Sequence, residues 1–101
     1  MVLVLLVALV SGCASFRAAR LYGSGTDALD RGDPGRAIAE LEQAAALAPQ
    51  AAEIQNHLGL AYGAEGREAE ARDAFERALE LDCDNHAARE NLLVLRSRTH
   101  P

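Results

Sequence analysis

The chain opens on an unbroken apolar run, Val2 to Val10, nine residues with no polar side chain among them. That length suits the apolar region of a signal peptide and falls far short of the roughly 20 residues that span a bilayer. After Ala18 the pattern changes to short amphipathic stretches rich in alanine and leucine, separated by Gly32-Asp33-Pro34, Pro49 and Gly66. Alanine favours helix, and these separators are helix-stopping and helix-starting residues, so the pattern predicts helical hairpins. Gly32 and Gly66 should each close a first helix in the left-handed conformation, and Asp33-Pro34 should cap and begin the next helix. Pro49 should stop a second helix, and Asp84-Asn85 should cap a fifth, running to about Arg98 with an apolar stripe opposite polar residues.

Shifted against itself by 34 positions, the segment 18–51 aligns with 52–85 without a gap. Seven positions are identical: Ala18/Ala52, Gly25/Gly59, Gly32/Gly66, Ala37/Ala71, Glu42/Glu76, Ala44/Ala78 and Leu47/Leu81. Most of these are small or turn-forming residues, as a repeated helix-turn-helix unit requires. Gly59 and Ala78 are small where two helices would cross closely, and Phe75 supplies bulk between them. Tyr62 can fill the interior while its hydroxyl reaches a wet edge.

With Leu58-Gly59, Tyr62, Ala71, Phe75 and Ala78 at these spacings, the second copy resembles the tetratricopeptide repeat. Cys83 stands where that family closes the unit with proline. The first copy keeps Gly25, Ala37, Ala44 and Pro49 but carries Ser24 in place of the leucine. The resemblance implies an all-α fold, a right-handed stack of two hairpins (18–51 and 52–85) plus a capping helix (86–98), with 99–101 as a tail. About three such units are usually needed to bury a continuous core, so self-association into a homo-oligomer or a bound partner is expected to complete the stack.

Val10-Ser11-Gly12-Cys13, small residues leading to a cysteine just past the apolar run, resembles a bacterial lipobox. That resemblance implies a lipoprotein signal peptide over 1–12, a lipid attached at Cys13, and a lipidated amino terminus with a short linker over 13–17. More than one acyl chain is needed for stable anchoring, and the lipoprotein modification supplies them. The alternatives are an ordinary signal peptide, or a piece of a longer hydrophobic segment, with Cys13 a bystander. Ala14, rather than aspartate, follows the cysteine, which in enteric bacteria points to the outer membrane, facing the periplasm.

Composition narrows the function. At 101 residues the chain has room for one small domain, and its net charge of -5 gives phosphate-driven nucleic-acid binding no electrostatic basis. His57, His86 and His100 lack ligand partners at metal-site spacing, and no phosphate-cradling glycine loop, G-x-S-x-G or H-E-x-x-H motif occurs. No metal, cofactor or enzymatic activity is expected. Arg31-Gly32-Asp33 spells an adhesion tripeptide, but it occupies the repeat turn, where the second copy has Glu65-Gly66-Arg67. Cys83 reads either as a half-buried thiol or as a dimer-forming one.

In the resembled family the first helices of successive repeats line a concave groove that holds a peptide or a partner helix. By position, the groove would comprise Tyr22, Thr26, Leu29, Asn56, Leu60, Gly63, Glu90 and Val94. Packing between helices is the alternative role for Tyr22 and Leu60. Some members clamp a peptide's terminal carboxylate with lysines, and this chain contains no lysine. The expectation is a membrane-anchored adaptor that recruits a protein or peptide in the bacterial envelope. The alternative is a self-associating structural envelope lipoprotein without a dedicated ligand.

Overall fold

The computed structural model describes residues 2–99, with side chains from Gly12 onward. Five helices follow one another: α1 (Val2–Asp30), α2 (Pro34–Leu47), α3 (Ala52–Ala64), α4 (Glu68–Leu81) and α5 (His86–Thr99). α2 and α4 start 34 residues apart, and so do α3 and α5, so the sequence period is the structural period. α1 pairs with α2 and α3 with α4 as hairpins, and α5 closes the end of the stack. α1 runs unbroken through 13–17, the segment assigned to a linker from sequence. Ala14, Ala18 and Ala19 follow Cys13, and a single Gly12 costs only about 1 kcal/mol in a helix, too little to break it. The side chains of residues 1–11, and with them the signal-peptide assignment, lie outside the described residues, as do His100 and Pro101 of the tail. Among the described residues no helix is long and apolar enough to cross a membrane.

The two hairpin turns share one construction. Gly32 and Gly66 have φ of 77° and 79°, the left-handed region where a Cβ is penalised. Around the first, the amide of Asp33 donates to the Ala28 carbonyl at 2.9 Å and that of Gly32 to Leu29 at 3.0 Å. Around the second, Arg67 donates to Tyr62 at 2.9 Å and Gly66 to Gly63 at 3.1 Å. Both pairs form the Schellman closure, which satisfies the last carbonyls of the outgoing helix. The next helix starts differently in each copy. Asp33 caps α2 by accepting from the Arg36 amide at 3.2 Å, with Pro34 in the first turn, whereas Arg67 precedes α4 with no side-chain cap. Asn85 caps α5 through the Ala88 amide at 3.0 Å.

Within each hairpin the helices cross where a glycine meets a bulky side chain. A Cβ on Gly25 would lie 2.8 Å from Leu41 Cγ, and one on Gly59 would lie 2.4 Å from Phe75 Cε1. Leu41 and Phe75 are repeat-equivalent and both buried, so each glycine is the socket for the opposite helix's largest knob. Ala37, Ala44, Ala71 and Ala78 are fully buried above and below these knobs.

Between hairpins, Ile54 and Leu58 of α3 join Ile38 and Leu41 of α2 in one core cluster, while Phe75 packs with Leu92 and Leu95 of α5 in a second. A polar bridge recurs at the same place. Tyr62 Oη donates to Glu42 Oε1 at 2.5 Å, and one repeat later Arg96 Nη2 lies 3.8 Å from Glu76 Oε1. The tyrosine ring also carries the Arg67 guanidinium at 4.8 Å from its centroid. The repeated glutamate, unexplained by sequence pattern alone, thus ties the second helix of a hairpin to the first helix of the next.

α5 caps the stack less completely than its sequence promised. It buries Ala88, Leu92 and Leu95 but leaves Leu93 57% and Val94 54% exposed. Leu93 occupies the position equivalent to Gly25 and Gly59, so a further helix could not cross α5 at the distance the two hairpins use.

Gly59→Ala should lower stability by up to about 2 kcal/mol, because overpacking costs about 1–3 kcal/mol against a helix-propensity gain of about 1 kcal/mol. Gly63→Ala, whose Cβ would meet Ala71 Cβ at an easy 4.0 Å, should be neutral or stabilising. Urea unfolding of both variants checks the contrast. Burial, then the bond to Glu42 and its charge, pushes the Tyr62 hydroxyl up to about 12. In the unfolded chain the phenol ionises near 10. Between these values the native state holds the extra proton, so stability should fall as pH rises from about 10 to 12. In Tyr62→Phe that part of the alkaline decline should vanish, leaving the smaller share of Tyr22, which burial also raises. Urea midpoints followed from neutral to alkaline pH measure it.

Candidate functional site

The first helices of the repeats, α1 and α3, and the cap α5 lie side by side, and residues 34 or 35 positions apart meet across them. At the α1–α3 seam the Tyr22 and His57 rings meet edge to face, with centroids 5.1 Å apart and planes at 89°. The Tyr22 hydroxyl lies 3.2 Å from His57 Nδ1, which is 2.9 Å from the Glu53 carbonyl. A carbonyl can only accept, so Nδ1 carries the proton and the tyrosine oxygen shares it. Burial first, and the Glu53 charge second, hold the Tyr22 phenol above its ordinary range, so it stays neutral at physiological pH.

At the α3–α5 seam Asn91 Nδ2 donates to Asn56 Oδ1 at 3.0 Å. Asn56 is 6% exposed, the only buried polar side chain of the described core. It therefore braces α5 against α3 through its carbonyl oxygen, a packing role beside the groove position assigned to it from sequence. Unpaired burial of an amide is costly, so the two asparagines fix the register of α5 as well as its proximity.

Leu60, Gly63 and Val94 do come together. They line an open cleft of about 230 Å³ between α3 and α5, floored by Phe75 and Leu95, with Arg98 at its rim. This is room for one apolar side chain, with a cation and the Asn91 amide nearby for polar contacts. Tyr22 lines a different depression of about 240 Å³, with Ala18, Ala51, Glu53 and Ile54. Thr26 spends its hydroxyl on the Gly23 carbonyl at 2.9 Å, and Leu29 packs half-buried against the core. Glu90 is exposed on α5 and lines neither cleft. Of the eight groove positions, Leu60, Gly63 and Val94 thus share one cleft, Tyr22 lines another, and Thr26, Leu29, Asn56 and Glu90 line neither. Sequence reasoning missed Asn91 and Arg98; for Asn91 the available signal was the recurrence of partners at one repeat plus one residue, Tyr22/His57 and Asn56/Asn91.

Cys13 and Cys83 are both exposed free thiols, so Cys83 is not the half-buried group one reading allowed. Arg31-Gly32-Asp33 forms the Schellman turn described above. Among the described residues no three His, Cys, Asp or Glu side chains are placed to hold a metal ion.

Over 74 residues the chain is 40% identical to a TPR repeat-containing protein of Pseudomonas aeruginosa, an alignment that covers 73% of this chain and 30% of the relative's length. Its fold is similar to the NMR structure of the first TPR domain of the human RPAP3 protein (TM-score 0.79, 20% identity, 82% of this chain and 65% of that one). It is also similar to the first TPR of Spaghetti (RPAP3) bound to the HSP90 peptide SRMEEVD (TM-score 0.60, 19% identity, 86% of this chain and 96% of that one). The turn glycines and the small crossing residues recur at one period across two hairpins, and residues 22–89 match the tetratricopeptide repeat family model: the chain belongs to the tetratricopeptide repeat family.

Proposed function

We propose that this chain is a membrane-anchored adaptor of the bacterial envelope, held by lipid at Cys13 and facing the periplasm, with the outer membrane as its site in a Gram-negative cell. Its α3–α5 cleft takes an apolar anchor residue of a partner peptide or helix. The observation that carries the binding role is that cleft: Leu60 and Val94, repeat-equivalent positions on successive first helices, form an open apolar wall beside Arg98, which makes no ion pair among the described residues. A tetratricopeptide relative of the same fold holds a peptide, which supports the binding mode but not the ligand. With no lysine in the chain, a lysine clamp for a peptide's terminal carboxylate is absent, and the ligand is recognised through an internal apolar residue. The anchor reading is supported by Val10-Ser11-Gly12-Cys13 and by the exposure of Cys13.

A second reading, self-association into a structural envelope component, is favoured by exposed Leu93 beside Leu79 and Leu92 on the α4–α5 edge. Crosslinking the native protein in its envelope and comparing it with Leu60→Glu/Val94→Glu separates the two. An adaptor should lose a partner of different mass in the variant. Recovery of the chain crosslinked only to itself, unchanged by the substitutions, would establish the structural reading instead. Mass spectrometry tests the anchor: the native mature chain should begin at Cys13 and exceed its peptide mass by its acyl groups, and Cys13→Ser should leave the membrane fraction. Equal mass and equal membrane attachment in that variant would remove the anchor.

A further inference from the structure

Cys13, Phe16, Arg17 and Arg20 follow one another at i, i+3, i+4 and i+7, which places them on a single face of α1. All four are exposed, Phe16 to 66%, the largest exposure of any bulky apolar residue among those described. The same face runs into an open cleft of about 390 Å³ between α1 and α2, where Arg17, Arg20 and Ser24 stand opposite Arg36 and Gln43. Glu40 also lines this cleft. It pairs with Arg36 at 3.1 Å, and its carboxyl is held below the usual range by Ser24 first and Arg36 after. That carboxylate is paired with Arg36, with the Arg31 charge acting on it as well. Arg17 and Arg20 make no ion pair among the described residues, and no acidic residue precedes Asp27 in the sequence. A chain of net charge -5 thus concentrates two uncompensated guanidinium groups beside an exposed aromatic ring, at the end that carries Cys13.

We infer that this face of α1 is a docking surface for anionic phospholipid, with Arg17 and Arg20 gripping headgroup phosphates and Phe16 seated at the headgroup–acyl boundary. The guanidinium fork matches phosphate oxygens in a way a point charge does not. A soluble phosphate compound would satisfy the arginines but has no use for Phe16, whereas a membrane surface satisfies both. The inference rests on the membrane attachment proposed above and adds orientation: acyl chains on Cys13 tether a point, and the arginine face lays α1 against the surface. The α3–α5 cleft is then held at a defined attitude to the membrane, not on a swivel.

The test uses the full chain carrying Cys13→Ser, which removes acylation, and flotation with vesicles of phosphatidylcholine alone or with about a third phosphatidylglycerol. The apolar run binds both vesicle types, so the ratio of the two partition constants isolates the charge effect. The ratio should favour the anionic vesicles and fall with added salt. Each arginine at an anionic surface contributes about fivefold (about 1 kcal/mol), so Arg17→Gln/Arg20→Gln should lower the ratio roughly thirtyfold. Arg72→Gln/Arg77→Gln on α4 should leave it unchanged, and circular dichroism should show equal helix in all forms. A ratio near one in the parent, an unchanged ratio in Arg17→Gln/Arg20→Gln, or an equal loss in the α4 variant would overturn the inference. Displacement from the vesicles by millimolar glycerol phosphate would also overturn it, marking the cleft as a soluble-anion site. A native chain found without acyl groups while the ratio persists would remove the anchor and leave this surface standing; an acylated native chain with a flat ratio would do the reverse.

Discussion

The structure depends on two close helix crossings, Gly25 against Leu41 and Gly59 against Phe75. A hairpin of alanine-rich helices has little apolar area to bury per residue, so it gains stability by bringing its backbones near enough for one large side chain to fill the whole interface. Glycine is the residue that permits that distance, and the fully buried alanines at 37, 44, 71 and 78 extend the close contact along both helices. The turn geometry follows from the same constraint: the Schellman closures at Gly32 and Gly66 return each second helix directly onto the face of the first.

Stacking the hairpins is a second problem, solved with different chemistry. The Leu58, Ile54 and Leu41 cluster and the Phe75, Leu92 and Leu95 cluster supply the apolar term. Register is set by pairs at fixed offsets: Glu42 to Tyr62, Glu76 to Arg96, Tyr22 to His57 and Asn56 to Asn91. Exposed ion pairs such as Glu76–Arg96 contribute little energy. A buried amide pair contributes more to specificity, because a slipped α5 would leave the Asn56 carbonyl without its donor. The same brace leaves Leu60 and Val94 on an open wall, since α5 is held by Asn56, Leu92 and Leu95 and not by filling the space between them.

Function in this fold is carried by what the stack leaves uncovered. The α3–α5 cleft, the Leu93 edge and the Cys13–Arg20 face of α1 are the uncovered surfaces on which the proposed peptide, self-association and membrane contacts respectively rest. The cleft and the Leu93 edge share α5, with Phe75 of the second crossing as the cleft's floor, and the Cys13–Arg20 face lies apart from both on α1.

Much of this architecture was legible in the sequence, because its determinants are local or strictly periodic. Left-handed glycines, the Asp33-Pro34 start, the Asn85 cap and the small-and-large alternation at a period of 34 are each dictated by backbone sterics and short-range hydrogen bonds, which operate on neighbouring residues. What only the tertiary structure decided are the fates of individual side chains on the groove face. Asn56 has the polarity and position of a ligand contact, yet α5 covers it; Thr26 turns back on its own helix; Leu93 stands exposed where two glycines are buried. The gathering of Arg17, Arg20 and Arg36 around one cleft likewise depends on how α2 lies across α1. Period and propensity specify which face of a helix turns inward, but whether a given atom on that face meets water, a ligand or a neighbouring amide is set by the packing of residues more than thirty positions away.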